Sequence, residues 1–194
     1  MPDGGKNAHL LYLPDEGRAV GKADVFGVSL GGMVAQRFAI DFPDLVNKLV
    51  LGSTLSRANE RFLSVMDRWK NLAENDRIDS LISDINNTVY SPETLKKFAS
   101  VFSEIRSVVS KDKTERFIAY VNAGKVFDFY SSLSRIKAET LVIGSLNDCV
   151  TTAEGARETA KALKCRYYEY TGYGHAVYDE APDYKERLFN FFTK

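Results

Sequence analysis

Histidine and cysteine are scarce in this chain, with two of each among 194 residues. So few ligands of that kind leave little from which to build a transition-metal centre. Cys149 and Cys165 stand in apolar segments and are too few for a disulfide framework. Long apolar runs are missing as well; none approaches the roughly 20 residues that cross a bilayer. The opening Met1-Pro2-Asp3-Gly4-Gly5-Lys6 lacks the apolar stretch of a signal peptide. Charge of one sign is also absent, since 26 basic residues balance 26 acidic ones, and this removes the footprint expected of a nucleic-acid or anionic-membrane binder. These absences predict a soluble, cytoplasmic protein without metal or cofactor, whose chemistry rests on organic side chains.

What the chain does have is a series of short apolar runs separated by turn residues. His9–Leu13 reads as a strand stopped by Pro14, with turn chemistry at Asp15-Glu16-Gly17. Ala23–Val28 is a second strand, and Met33, Val34, Ala35, Phe38, Ala39 and Ile40 give the next segment a wide apolar stripe at helical spacing, ended by Pro43. Leu49–Thr54 and Thr140–Ser145 are continuous apolar runs of the kind that fits a parallel sheet covered on both faces. A helix over Arg157–Leu163, a strand over Cys165–Tyr170 and a closing helix over Tyr184–Phe192 complete the pattern. Strand, helix and strand in alternation at both ends predict an α/β fold, a mostly parallel sheet flanked by helices.

Between Ser56 and Ser131 the period becomes helical throughout. Phe62, Met66 and Trp69 share one face, and Ile78, Leu81, Ile82 and Ile85 share another. Leu95, Phe98, Ala99, Phe102, Ile105 and Val109 continue the repeat behind Ser91-Pro92-Glu93, an N-cap with proline in the first helical position. A fourth helix over Thr114–Val121 should end before Gly124. The expected organisation is a core of residues 1–55 and 132–194 with an all-helical insertion, residues 56–131, between two strands. Its apolar residues serve either as core or as the lining of an acyl or aromatic pocket.

Gly27-Val28-Ser29-Leu30-Gly31-Gly32 lies between the second strand and the first helix, which puts a serine at the apex of a strand-turn-helix. The flanking glycines are read as removing side chains that would collide there. A nucleophilic serine needs a base, and histidine alone has an unperturbed pKa near working pH. His9, on the first strand, reads as structural, whereas His175 stands in the loop Gly172-Tyr173-Gly174-His175 beyond the last strand. Asp148 runs off the end of the preceding strand in Ser145-Leu146-Asn147-Asp148. In a parallel sheet these loops emerge at one end, so Ser29, Asp148 and His175 converge as nucleophile, orienting acid and base.

On these segments the chain resembles the alpha/beta-hydrolase family over most of its length. Asp24–Ala35 is similar to the family's nucleophile elbow, Ile136–Gly144 with Asp148 to its acid strand, and Gly174-His175 with Glu180-Ala181-Pro182 to its histidine loop and final helix. The helical insertion occupies the place of the family's cap. The resemblance implies a serine hydrolase of small carboxylic esters or lactones, with the Leu30 amide as one oxyanion donor. Family members carry about four strands before the elbow; here Leu10–Arg18 resembles the fourth, and strands one to three, with the loop supplying the second oxyanion amide, are not found. Gly4-Gly5 is one candidate for that amide. The expectations left open are a reduced active enzyme, a chain that lost its first third, a fold completed by another chain, a non-catalytic member, and an acyltransferase. An open sheet edge would favour self-association.

Overall fold

The computed structural model describes residues 21–101, 104 and 109–194. Gly4, Gly5, His9, the strand expected at His9–Leu13, Phe102 and Ile105 lie outside them. In chain order the described elements are β1 (Ala23–Val28), α1 (Leu30–Asp41), β2 (Val46–Gly52), α2 (Glu60–Glu74), α3 (Ile78–Val89), α4 (Pro92–Lys97), α5 (Lys111–Lys125), a 3-10 turn (Tyr130–Arg135), β3 (Glu139–Ser145), α6 (Ala153–Leu163), β4 (Arg166–Tyr170), α7 (Val177–Glu180) and α8 (Tyr184–Thr193).

The strands pair in parallel in the order β1-β2-β3-β4, so the α/β reading of the sequence holds. Val28 stands beside Gly52, Gly52 beside Ile143, and Ser145 beside Tyr170. All carboxyl ends therefore finish at one end of the sheet. The central strands are apolar without alternation because both faces are covered. Leu49, Leu51 and Val142 face Ala35 and Ala39 of α1 and Ala156 and Ala160 of α6. Val50, Leu141 and Ile143 face Val177, Tyr184 and Phe191 on the other side. Small residues on α1 and α6 let those helices lie close to the sheet, which is how a helix seats on a strand layer.

The helices between β2 and β3 are started by side chains that accept orphan amide protons: Asn59 from Phe62 N–H at 2.9 Å, and Ser91 from Thr94 N–H at 3.2 Å. Phe62, Val65, Met66, Trp69, Leu81 and Val121 form a core with Met33, Val150 and Ala176, which come from the sheet-end side of the molecule.

Four expectations need correction. The repeat from Leu95 does not make one buried helix: α4 stops at Lys97, and Phe98 and Val101 are 43% and 55% exposed. A 3.6-residue repeat reports spacing, and a break in the helix takes its face out of phase with the core. The α5 helix continues through Gly124 to Lys125, because a single glycine lowers helix propensity by only about 1 kcal/mol and the packing of α5 on α2 outweighs it. Val34, placed on the buried stripe of α1, is 49% exposed. Cys149 is exposed despite its apolar neighbours, lying in the loop after β3, and Cys165 is half-buried.

Candidate active site

Ser29 follows β1 directly and precedes the first residue of α1, so its backbone makes the turn alone, with φ 51° and ψ −122°. A non-glycine residue at positive φ costs of order 1–3 kcal/mol and persists only where the surroundings over-determine it. Here Ser29 N–H donates to Gly52 C=O at 2.9 Å, and Ser29 C=O accepts from Thr54 Oγ1 at 2.7 Å. Close approach of α1 to β1 and to the end of β2 demands glycine at two positions. A Cβ on Gly27 would lie 2.8 Å from Ala35 Cβ, and one on Gly32 would lie 2.6 Å from Thr54 Cβ. A Cβ on Gly31 meets no described atom within 4 Å. Of the glycines flanking the turn, the crowding thus falls on Gly27 and Gly32, because in a helix only one of two successive residues faces the sheet.

The loops after β3 and β4 bring the other two residues to the same place. Ser29 Oγ donates to His175 Nε2 at 3.0 Å, and His175 Nδ1 lies 3.0 and 3.1 Å from the Asp148 carboxylate oxygens. An ionised carboxylate only accepts, so Nδ1 carries the proton and Nε2 is free to accept from the serine. His175 and Asp148 are buried, at 3% and 7% exposure. The Asp148 carboxylate also accepts from Val150 N–H at 2.8 Å, Thr151 N–H at 2.9 Å and Thr151 Oγ1 at 2.7 Å. Burial pushes this carboxyl up, but His175 together with the Thr151 and Val150 donors outweighs it and holds the group at about 2. It stays ionised throughout the ordinary working range.

Ser53, Thr54 and Thr151 were not singled out from the sequence. Ser53 has φ 42° and its Oγ donates to His175 C=O at 2.8 Å, while Thr54 fixes the Ser29 carbonyl. One dipeptide at the end of β2 thus clamps the backbones of two residues that are 146 positions apart. The available signal was a pair of hydroxyl residues directly after a fully apolar strand, at the end of the sheet where the elbow also emerges. Leu30 N–H opens α1, where the helix terminus concentrates positive potential, and it donates to no described group.

Ser29, Leu30 and His175 face a cavity of about 420 Å³, walled by Phe62, Met66 and Trp69 of α2, by α3 and by α5. Trp69 is held by its indole N–H, which donates to Asp84 Oδ2 at 2.7 Å. The helical block therefore supplies walls to the cavity as well as core, the two roles its sequence left open. Among the described residues no group of three or more His, Cys, Asp or Glu side chains could hold a metal, and no helix is long and apolar enough to cross a membrane.

Residues 19–182 match the family described as the alpha/beta hydrolase fold. Pyrrolizixenacetamide deacetylase of Xenorhabdus hominickii is 30% identical over 163 residues, which are 82% of this chain and 61% of that protein. The 2-hydroxy-6-oxononadienedioate/2-hydroxy-6-oxononatrienedioate hydrolase 1 of Pseudomonas putida is 28% identical over 180 residues, 89% of this chain and 63% of that one. The chain thus spans about three-fifths of the length of these curated relatives. Among solved structures, the enol-lactonase from Burkholderia xenovorans LB400 superposes with a TM-score of 0.79 at 21% identity, covering 90% of this chain and 67% of that one. With the parallel sheet, the strained serine turn and the family match over residues 19–182 in agreement, the chain belongs to the alpha/beta hydrolase fold family.

Proposed function

We propose that this chain carries the catalytic centre of a serine hydrolase that cleaves small carboxylic esters or lactones. The observation that carries the reading is the unbroken line of hydrogen bonds from Ser29 through His175 to Asp148 at the wall of an apolar cavity. Ser29 Oγ attacks the substrate carbonyl carbon while its proton passes to His175 Nε2. The electron pair of the carbonyl moves onto oxygen, and Leu30 N–H stabilises that charge. As the tetrahedral intermediate collapses, the bond to the leaving oxygen breaks and His175 returns the proton to it, leaving an acyl-Ser29 ester. Water deprotonated by His175 then attacks the acyl carbon, and the carboxylic acid leaves as Ser29 regains its proton. Asp148 stays ionised throughout, holding the imidazole in the required tautomer and stabilising the imidazolium. In this reading residues 56–131 act as a cap, whose helices form the wall opposite the serine.

The curated relatives are named for deacetylation, carbamate hydrolysis and dienedioate hydrolysis, which supports acyl-transfer chemistry to water and leaves the acyl group to the cavity. The test is p-nitrophenyl acetate hydrolysis by the parent and by Ser29→Ala, together with fluorophosphonate labelling. The parent should be labelled at Ser29, and the variant should lose about 10⁴-fold or more in kcat/KM with an unchanged circular dichroism spectrum. Equal rates, or no labelling of folded protein, would remove the nucleophile from the proposal.

A further inference from the structure

The cavity at Ser29 has a chemical bias that its apolar walls alone do not describe. Its described lining contains no lysine or arginine; its polar members away from Ser29 and His175 are Asn86, Tyr90, Tyr120 and Tyr178. Cations do stand next to lining residues in sequence, and they are engaged elsewhere. Arg68 and Lys70, on either side of Trp69, pair with Asp84 at 2.8 Å and Glu74 at 3.6 Å. Arg116, before Phe117, pairs with Asp112 at 2.9 Å, and Lys125, after Gly124, pairs with Asp67. Arg61, before Phe62, donates to Cys149 C=O at 3.0 Å. These cations are held by partners and none is part of the described lining.

Negative charge, by contrast, lies close to one wall. The Tyr90 hydroxyl is pushed up by burial and, after that, by Asp179 and Glu180. Tyr178 is pushed up by burial first, then by Tyr90, Asp179, Asp148 and Glu180. Two of the cavity's hydroxyl groups therefore sit in the field of carboxylates, one of them the buried acid of the Ser29 line. A second carboxylate brought into this space would lose its water, meet no lysine or arginine among the described lining, and be repelled from that wall. Burying an unpaired charge is among the costliest events in protein association.

We infer that the cavity selects substrates whose acyl part is uncharged and apolar, and discriminates against acyl groups that end in a carboxylate. This rests on the hydrolase reading for its meaning in catalysis, but the selectivity itself is a property of binding.

The only tryptophan of the chain is Trp69, which lines the cavity, so its fluorescence reports occupancy directly. Ser29→Ala protein, unable to form the acyl-enzyme, is titrated with dimethyl adipate and with monomethyl adipate at pH 7.5, ligands of one chain length that differ in a terminal charge. The diester should bind about tenfold or more tightly than the half-acid. A smaller ratio, or tighter binding of the half-acid, overturns the inference. Tyr120 lines the cavity and is 58% exposed, so Tyr120→Lys adds a cation at the rim without disturbing the core. In the Ser29→Ala background it should narrow the ratio at least about threefold by supplying the missing counter-charge; an unchanged ratio would show that charge is not the cause and would also overturn the inference. Methyl p-nitrophenyl adipate and mono-p-nitrophenyl adipate, whose acyl groups end in a methyl ester and a carboxylate, measured on the parent, separate the readings: a binding preference without turnover of either ester leaves the selectivity standing and removes the hydrolase.

Discussion

The carboxyl end of the sheet and the helical wall opposite it enclose the same cavity, yet they are specified by different physics. At the sheet end, positions are set atom by atom. Ser29, Ser53 and Thr152 hold positive φ, and Ser29, Ser53, Thr54, Asp148 and His175 are tied by hydrogen bonds of 2.7 to 3.1 Å. In the helical wall, Phe62, Val65, Met66 and Trp69 are placed by burial and shape, with few directional contacts apart from the bond between Trp69 and Asp84. Directional bonds lose most of their value with small displacements, whereas apolar contacts tolerate volume-conserving exchange. In the proposed hydrolase the chemistry therefore sits where geometry is over-determined, and substrate choice sits where packing tolerates exchange.

That contrast is open to direct challenge. The largest effect should come from Asp148→Asn, which keeps the volume but removes the charge and permits the wrong imidazole tautomer. Turnover of an activated ester should fall by about 10³–10⁴-fold with little change in substrate affinity. A tenfold loss or less would mean that the sheet end is as tolerant as the wall. Next, Phe62→Ala, buried against Phe127 at an edge-on ring distance of 6.4 Å, should cost about 3–5 kcal/mol in urea unfolding. Here the expected loss is of stability, with the distance between Ser29 and His175 preserved.

Acid should separate the two regions further. The Asp148 carboxyl is held at about 2 against an ordinary value of 3.8, so the folded state has the lower pKa and binds the proton less readily than the unfolded chain. Its stabilisation is complete above about pH 5 and is lost as pH falls through 4 toward 2, a total of about 2–3 kcal/mol. Urea unfolding at pH 5, 4 and 3 should show a steeper decline for the parent than for Asp148→Asn. Parallel declines would show that this carboxylate is not held as described. The smallest effect belongs to the supporting hydroxyl: Thr54→Val removes one neutral hydrogen bond to the Ser29 carbonyl, worth about 1 kcal/mol. It should lower kcat about fivefold and leave KM nearly unchanged, while Met66→Leu in the wall should shift KM and spare kcat.

The sequence made the residues of the proposed catalytic line legible because each announces itself locally. Ser29 stands in a glycine-rich turn, and Asp148 and His175 follow strands recognisable from their apolar runs; the order of strands in a parallel sheet then places their loops at one end. Ser53 and Thr54 were not legible in the same way. Their roles depend on β2 lying beside β1 and on the loop after β4 folding back over it, and nothing within ten residues of Ser53 records either fact. The misreading around Phe98 has the opposite cause: a local repeat that looked sufficient was interrupted by a turn, which left Phe98 and Val101 exposed.

By itself the sequence determined the alternation of strand and helix, the parallel sheet and the candidates proposed as nucleophile, base and acid, since periodicity and turn chemistry act over neighbouring residues. Only the tertiary structure decided which glycine is crowded, which hydroxyl groups clamp the site, and that the described lining of the cavity near Ser29 holds no lysine or arginine. Those are properties of distances between residues far apart in the chain. A balanced composition fixes the sum of the charges; the fold fixes where each of them points.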